Sequence, residues 1–172
     1  MNPHPDTSRV TDLIRALDVY RQARQTLLNV LGLPLSNRDP LAEFSEHLVA
    51  ALTGAVLASS RVQADYDLTL DDGNTIQVRY LANPSGTWVN EHVVRRVQGV
   101  EWYALVLFEA LTVIGVLAVP TGHMAMIARA LGKRHAGQDE MLQLTQRNWC
   151  AIRDNLHVYK DLGARVWLPP FT

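Results

Sequence analysis

The sequence predicts an α+β fold in which helices come first, an antiparallel meander of strands follows, and further helices flank the strands. Three observations support this. The chain has 172 residues, of which 48% are hydrophobic and 19% charged, so it can bury a core. Apolar residues recur near helical spacing in the first third of the chain. The middle third carries the alternating and continuous apolar runs that are typical of strands.

An N-terminal helix is predicted from about residue 8 to residue 31, where Val, Leu and Tyr recur near helical spacing. Gly32 and Pro34 end this helix. We assign residues 1–35 to this helical segment and residues 36–172 to the core. The spacing leaves two roles open for the helix, which are packing within the monomer and forming the surface of a homodimer.

A second helix begins at Asp39 and Pro40, which are a good N-cap and a good first helical residue. Glu43, Glu46 and His47 lie three and four residues apart, so they are neighbours on one arc of this helix. The apolar residues lie on another arc, and we expect them to form its buried stripe: Leu41, Phe44, Leu48, Leu52 and Ala55.

Residues 64–82 are predicted to form a β-hairpin. Strand side chains alternate between faces, so its polar residues share one face only if the loop holds an odd number of residues. Asp71-Asp72-Gly73 is such a loop, with Gly73 in the left-handed position of a type I turn followed by a bulge.

In this register one face of the hairpin carries two facing polar pairs. Asp67 faces Gln77, and Asp65 faces Arg79. Such a face can simply be the solvated side of an antiparallel sheet. It can also be chemical, because a carboxylate on one strand and a second oxygen ligand can hold a divalent cation, and a basic residue on the next strand can stabilise the charge on a phosphate.

The segment WYALVLFEALTVIGVLAV, from residue 102 to residue 119, is about as long as a short membrane span. Glu109 near its middle would be costly in lipid. We therefore predict two buried strands, at about 101–109 and 112–119, which are joined by a tight turn around Glu109, Ala110 and Leu111. No association with a membrane is expected.

Three further elements are predicted after these strands. A short helix runs over about 123–131 and stops at Gly132, and Thr145 caps a helix at about 146–157. A short strand at 165–167 ends the fold.

Composition limits the classes of function. The net charge of −1 excludes a strongly basic arm for nucleic acids but allows local basic patches. Four residues in two clusters are candidates for contacts to phosphates: Arg95, Arg96, Lys133 and Arg134. Cys150 is the single cysteine, so no intramolecular disulfide can form. With no signal-like N-terminus, a cytoplasmic protein is expected.

Four stretches of the chain resemble the PD-(D/E)XK nuclease superfamily, which has the restriction-endonuclease-like fold. They are EFSEHLVAAL on the second helix, ADYDLTLDDGN and TIQVRYL on the hairpin, and VEWYALVLFE on the next strand. The resemblance covers residues 41–120, about half the chain. It implies a core of that fold.

The resemblance also implies roles for individual residues. Asp67 corresponds to the metal-binding aspartate, Gln77 to the acidic or glutamine position of the half-motif, and Arg79 to its lysine. Glu46 corresponds to a helix glutamate that many members have, with Glu43 as the alternative. Secondary candidates are Asp65, which could hold Arg79 or supply a carboxylate, and His47, which could act as a base or ligand.

Two residues depart from the family pattern. Gln77 brings an amide oxygen but no negative charge, which lowers the expected affinity for a cation. Arg79 stays protonated, so it can stabilise a phosphate but cannot accept a proton.

Two functions follow as expectations. One is an endonuclease that depends on Mg²⁺ or Mn²⁺, acts on DNA in restriction, phage defence or DNA processing, and forms a homodimer. The other is a catalytically degenerate member of the same fold that binds DNA or protein.

Overall fold

The computed structural model describes six stretches of the chain, with side chains from residue 11 onward: 7–36, 38–59, 65–84, 86–88, 92–132 and 141–171. The chain divides into two compact units, Met1–Phe44 and Ser45–Thr172. The boundary falls inside the second helix rather than in the linker before it.

The first unit contains the helix α1 (Thr7–Val30) and the start of α2 (Pro40–Thr53). α1 ends as the glycine signal predicts, because Gly32 has a φ of 72° and the N–H of Leu33 bonds the carbonyl of Leu28. Arg24 donates to the carbonyls of Ser36 and Arg38, and so ties the linker to the helix.

Much of α1 carries exposed apolar side chains. Five of them, between residues 13 and 20, are more than half exposed: Leu13, Ile14, Leu17, Val19 and Tyr20. Single exposed apolar residues are ordinary, but a group of five on one helix is a surface that a partner can cover.

α2 begins as predicted, with Asp39 Oδ1 accepting a hydrogen bond from the N–H of Leu41. The predicted buried stripe is wrong, because its four members within α2 are only half-buried and Ala55 lies beyond the end of the helix. The most buried side chains are those of Glu43, Ser45, Glu46 and Val49. The positions of the apolar residues do not predict this face, because it contains carboxylates. Ion pairing can offset the cost of burying a carboxylate, as it does for Glu43.

The second unit contains a six-stranded sheet in the order β1-β2-β3-β5-β6-β8 and a two-stranded sheet of β4 and β7. The strands are β1 (Val56–Leu57), β2 (Leu68–Thr69), β3 (Thr75–Asn83), β4 (His92–Arg95), β5 (Trp102–Glu109), β6 (Thr112–Pro120), β7 (Met141–Leu144) and β8 (Arg165–Trp167). The α+β prediction is confirmed at this level.

The predicted antiparallel meander is correct for most of the large sheet, but β3 and β5 pair in parallel. The reason lies in β4, which sequence reading missed. β4 leaves the large sheet to pair with β7, so the chain returns to the large sheet in the direction of β3. A parallel pair needs a crossover connection of this kind.

The hairpin of β2 and β3 has the predicted register. Leu68 lies opposite Ile76 and Thr69 opposite Thr75. Gly73 has a φ of 84°, and its N–H bonds the carbonyl of Leu70 across the turn. β2 is shorter than predicted, so residues 65–67 precede the strand rather than forming part of it.

The predicted apolar strand pair is confirmed as β5 and β6, with Ala110 and Leu111 forming the two-residue turn at φ values of 46° and 64°. Both strands are buried over most of their length. No helix among the described residues is both long enough and apolar enough to cross a membrane.

Three helices follow β6, namely α3 (Met124–Ala130), α4 (Gln146–Asp154) and α5 (Leu156–Asp161). The predicted helix at 146–157 is in fact α4 and α5, because Asn155 leaves the helical conformation. Thr145 caps α4 as predicted, and Asn148 returns the bond to complete a capping box. α4 contributes Trp149 and Ile152 to the core cluster.

Candidate functional site

Asp67 lies directly before β2, where the hairpin strands begin to separate. Its N–H bonds the carbonyl of Ile76 at 2.9 Å, and its carbonyl accepts from the N–H of Ala58 at 2.9 Å. Its backbone is therefore fixed on both sides although it is outside the strand. The side chain is only 13% exposed.

Three polar groups of this face converge on the carboxylate of Asp67. Its Oδ2 atom accepts hydrogen bonds from Gln77 Nε2 at 2.5 Å and from the N–H of Val78 at 2.7 Å. Arg79 Nη1 lies 3.5 Å from the same oxygen. The hairpin register explains this grouping, because it sets Asp67 opposite Gln77 and keeps Gln77 and Arg79 on one face.

Arg79 links this group to solvent. Its side chain is 52% exposed, and its Nη1 also donates to the carbonyl of Val78 at 2.8 Å. A pair this exposed contributes little to stability, roughly 0–1 kcal/mol. The ion pair differs from the expected pairing with Asp65, which is exposed and lies three residues before β2 begins. Among the described residues, no ion pair joins Asp65 to Arg79.

A histidine and a tyrosine adjoin this group, and sequence reasoning missed both. Tyr103 on β5 lies beside Gln77 in the parallel register, so the two side chains share a face of the sheet. His92 on β4 places its Nε2 3.2 Å from the hydroxyl of Tyr103. The two rings are tilted, with centroids 6.1 Å apart.

The charges of the Asp67 group affect the pKa values of His92 and Tyr103. Burial lowers the pKa of His92, and the charge of Arg79 lowers it further. Burial raises the pKa of Tyr103 to about 12, with Asp67 adding to the rise and Arg79 opposing it. Both shifts favour the neutral form of the side chain, and the charge of Arg79 acts on both groups.

The two candidate glutamates of α2 differ in their surroundings. Glu43 belongs to the first unit, where it pairs with Arg38 at 3.3 Å and accepts from Ser36 Oγ. Glu46 and His47 belong to the second unit, and Glu46 is 4% exposed. Among the described residues, no group of three His, Cys, Asp or Glu side chains is arranged to hold a metal ion.

The donors at Asp67 nevertheless have the right chemistry for a hard cation, which prefers oxygen ligands. The three contacts described above are all made to Oδ2, so Oδ1 is the oxygen that can turn toward a cation. Gln77 donates through Nε2. A flip of its side-chain amide, by about 180°, would place Oε1 beside Asp67 instead. One carboxylate and one amide fit Mg²⁺ or Mn²⁺ as a weak site.

The candidate phosphate contacts are only partly described. Arg95 and Arg96 are exposed at the end of β4, and Arg96 lines an open pocket with Glu101 and Thr121. The carboxylate of Glu101 accepts two hydrogen bonds from Thr75, which lower its pKa and fix one wall of this pocket. Lys133 and Arg134 lie outside the described residues.

Trp88 is buried in the core cluster, and its Nε1 donates to Glu109 Oε1 at 2.8 Å. It caps the core rather than offering a ring to a partner.

No protein-family model matches the chain, and no curated protein matches its sequence.

Proposed function

We propose that this protein is a metal-dependent DNA endonuclease of the PD-(D/E)XK type. The observation that carries the proposal is the convergence of Gln77, the N–H of Val78 and Arg79 on the carboxylate of Asp67. In the resemblance described above these residues correspond to the family's half-motif, and the hairpin has the register predicted for it. The mixed α+β sheet is compatible with a restriction-endonuclease-like core, which we propose as the fold.

The proposal gives each residue a role. Asp67 and Gln77 would hold the cation through oxygen, with Glu46 of α2 as a further ligand. Bound Mg²⁺ or Mn²⁺ would polarise the phosphate and lower the pKa of water. Arg79 would stabilise the negative charge that builds on the non-bridging oxygens, which a guanidinium can contact with two hydrogen bonds.

A homodimer fits this activity, because two copies can cut the two strands of a duplex. The exposed apolar residues of α1, among them Leu13 and Leu17, form the surface that we propose for dimerisation.

The test is cleavage of supercoiled plasmid DNA by the purified protein with Mg²⁺, with Mn²⁺ and with EDTA. We expect nicked or linear product with either metal and none with EDTA. Mapping of cut ends on a library of duplexes would extend the search to sites of low frequency. If neither plasmid nor library is cut with either metal, the endonuclease proposal fails.

A second prediction concerns position 77, where glutamine stands in place of an acidic residue. Gln77→Glu places a second carboxylate beside Asp67, so the affinity for Mg²⁺ should rise on the order of 10-fold. In EDTA the same change removes the Nε2 donor and sets two negative charges together, which should destabilise the fold by about 1–3 kcal/mol. Isothermal titration with Mg²⁺ and thermal unfolding with and without the metal measure the two effects.

Gln22→Glu is the matched control for this change, because Gln22 is exposed on α1 and the chemical alteration is identical. It should change neither the metal affinity nor the unfolding temperature in EDTA. Equal Mg²⁺ affinity of wild type and Gln77→Glu would argue against a cation at Asp67.

A specific observation favours the second candidate function, which is a DNA- or protein-binding module without catalysis. The charge of Asp67 is already balanced by Arg79, and Gln77 turns its NH₂ group toward it, so the polar face is satisfied without a cation. Retention of duplex DNA in EDTA, without cleavage in any metal, would select this function over the first.

A further inference from the structure

The proposed hydrolysis lacks a proton acceptor among the residues of the half-motif. When water attacks a phosphodiester, a group near the phosphorus must take a proton from it. A lysine can do this when its pKa is lowered, but Arg79 stands at that position and stays protonated. Asp67 Oδ2 already accepts two hydrogen bonds and lies near Arg79. With Oδ1 of Asp67 assigned to the cation in the proposed function, an acceptor from another element would complete the site.

His92 is the imidazole that the fold brings to this face. β4 carries it to Tyr103, and Tyr103 lies beside Gln77 in the large sheet. Arg79 is close enough for its charge to act on the imidazole. His92 is half-buried.

We propose that His92 is the general base of this site and that Tyr103 is the positioning residue that orients its imidazole. The inference rests on the proposed function and adds the residue that takes the proton from the attacking water. The arrangement is the familiar one in which a base is held by a hydrogen bond from its far nitrogen.

The step assigns each ring nitrogen a task. Nε2 of His92 carries the proton of the neutral ring and donates it to the phenol oxygen of Tyr103, which leaves the lone pair of Nδ1 free. The water oxygen attacks phosphorus while one of its protons passes to Nδ1. The bond from phosphorus to one bridging sugar oxygen breaks, its electron pair leaves with that oxygen, and the oxygen takes a proton from solvent. His92 then returns its proton to solvent.

The surroundings of the ring favour this role. Among the described residues, Arg79 from β3 and the phenol of Tyr103 from β5 are the polar groups that act on it, and its partner across β4 and β7 is Leu144. Burial and the nearby positive charge both lower the pKa of His92, which favours the neutral ring that can accept a proton.

The experiment compares plasmid nicking by wild type, His92→Ala and Tyr103→Phe in Mn²⁺, with and without added imidazole. Loss of a general base should reduce the rate by about 10²–10⁴-fold in His92→Ala. Imidazole should restore part of that rate, since it can enter the space of the missing ring. Tyr103→Phe should lose less, about 10-fold, and should not respond to imidazole.

A readout that does not involve activity tests the same arrangement. Nitrogen NMR of the histidine rings should show the Nε2-protonated tautomer for His92 in the wild type. Removal of the phenol oxygen in Tyr103→Phe should shift that ring toward a mixture of tautomers. His157→Gln, a change at an exposed residue of α5, is the control for the activity and for the NMR assignment.

The outcomes separate this inference from the function on which it rests. Cleavage by wild type and equal cleavage by His92→Ala would overturn the base and leave the endonuclease standing. Absence of cleavage by the wild type would overturn both. If His92→Ala does not fold, His92→Gln replaces it, since the amide can still bond Tyr103 but cannot act as a base. Full activity of folded His92→Gln would overturn the inference.

Discussion

Asp67→Asn is expected to reduce metal-dependent cleavage by about 100-fold or more while the protein remains folded. Loss of a group in the outer shell of a metal site typically lowers affinity or activity by about 10–100-fold, and Asp67 is proposed as a direct ligand. The variant keeps an oxygen that can accept from the N–H of Val78 but loses the charge that pairs with Arg79. We expect a cost in stability of about 1–3 kcal/mol.

The measurement is the rate of plasmid nicking in Mg²⁺ and Mn²⁺, with circular dichroism to establish that the variant is folded. Asp71→Asn serves as the control, because Asp71 is an exposed residue of the same hairpin turn. It removes the same charge without touching the site, so its rate should equal that of the wild type. A folded Asp67→Asn with the wild-type rate would show that the metal is held elsewhere.

Gly115→Ala is expected to cause the largest loss of stability among single-methyl changes at the glycines. A Cβ atom at this position would lie 2.5 Å from Cη2 and Cζ2 of Trp149 and 3.3 Å from the carbonyl oxygen of Trp167. Trp149 is 2% exposed and surrounded by core residues, so its ring cannot move away cheaply. Overpacking of this kind costs about 1–3 kcal/mol and occasionally more.

Thermal unfolding of Gly115→Ala should therefore shift to lower temperature by about 2–4 °C for each kcal/mol lost. Gly122→Ala is the matched control, since no described atom lies within 4 Å of its added Cβ and its φ is not positive. An unfolding temperature for Gly115→Ala equal to that of Gly122→Ala would mean that α4 can shift to make room for the methyl group.

Local signals predicted much of the fold. The odd loop length set the register of the hairpin, so it also predicted that Asp67 faces Gln77. Asp39 and Pro40 located the start of α2, and the central Glu109 indicated a turn between two buried strands rather than a membrane span. In each case the determining contact lies within a few residues of the signal.

The parts that were missed depend on contacts between distant residues. β4 and β7 are only four residues each. Each becomes recognisable as a strand only through its pairing with the other, about fifty residues away in the sequence. With β4 read as a loop, His92 had no strand to place it beside Tyr103. The buried face of α2 was missed for a different reason, because it carries the carboxylates of Glu43 and Glu46, and Arg38 just before the helix pairs with Glu43.

The division into two sheets has a consequence for how the site is assembled. Gln77 and Arg79 are carried by the six-stranded sheet and Asp67 directly precedes β2, whereas His92 is carried by the separate pair of β4 and β7. Among the described residues, the contact between His92 and Tyr103 spans the two sheets through side chains rather than through a strand ladder. The position of the imidazole relative to the carboxylate therefore depends on side-chain packing and not on strand register.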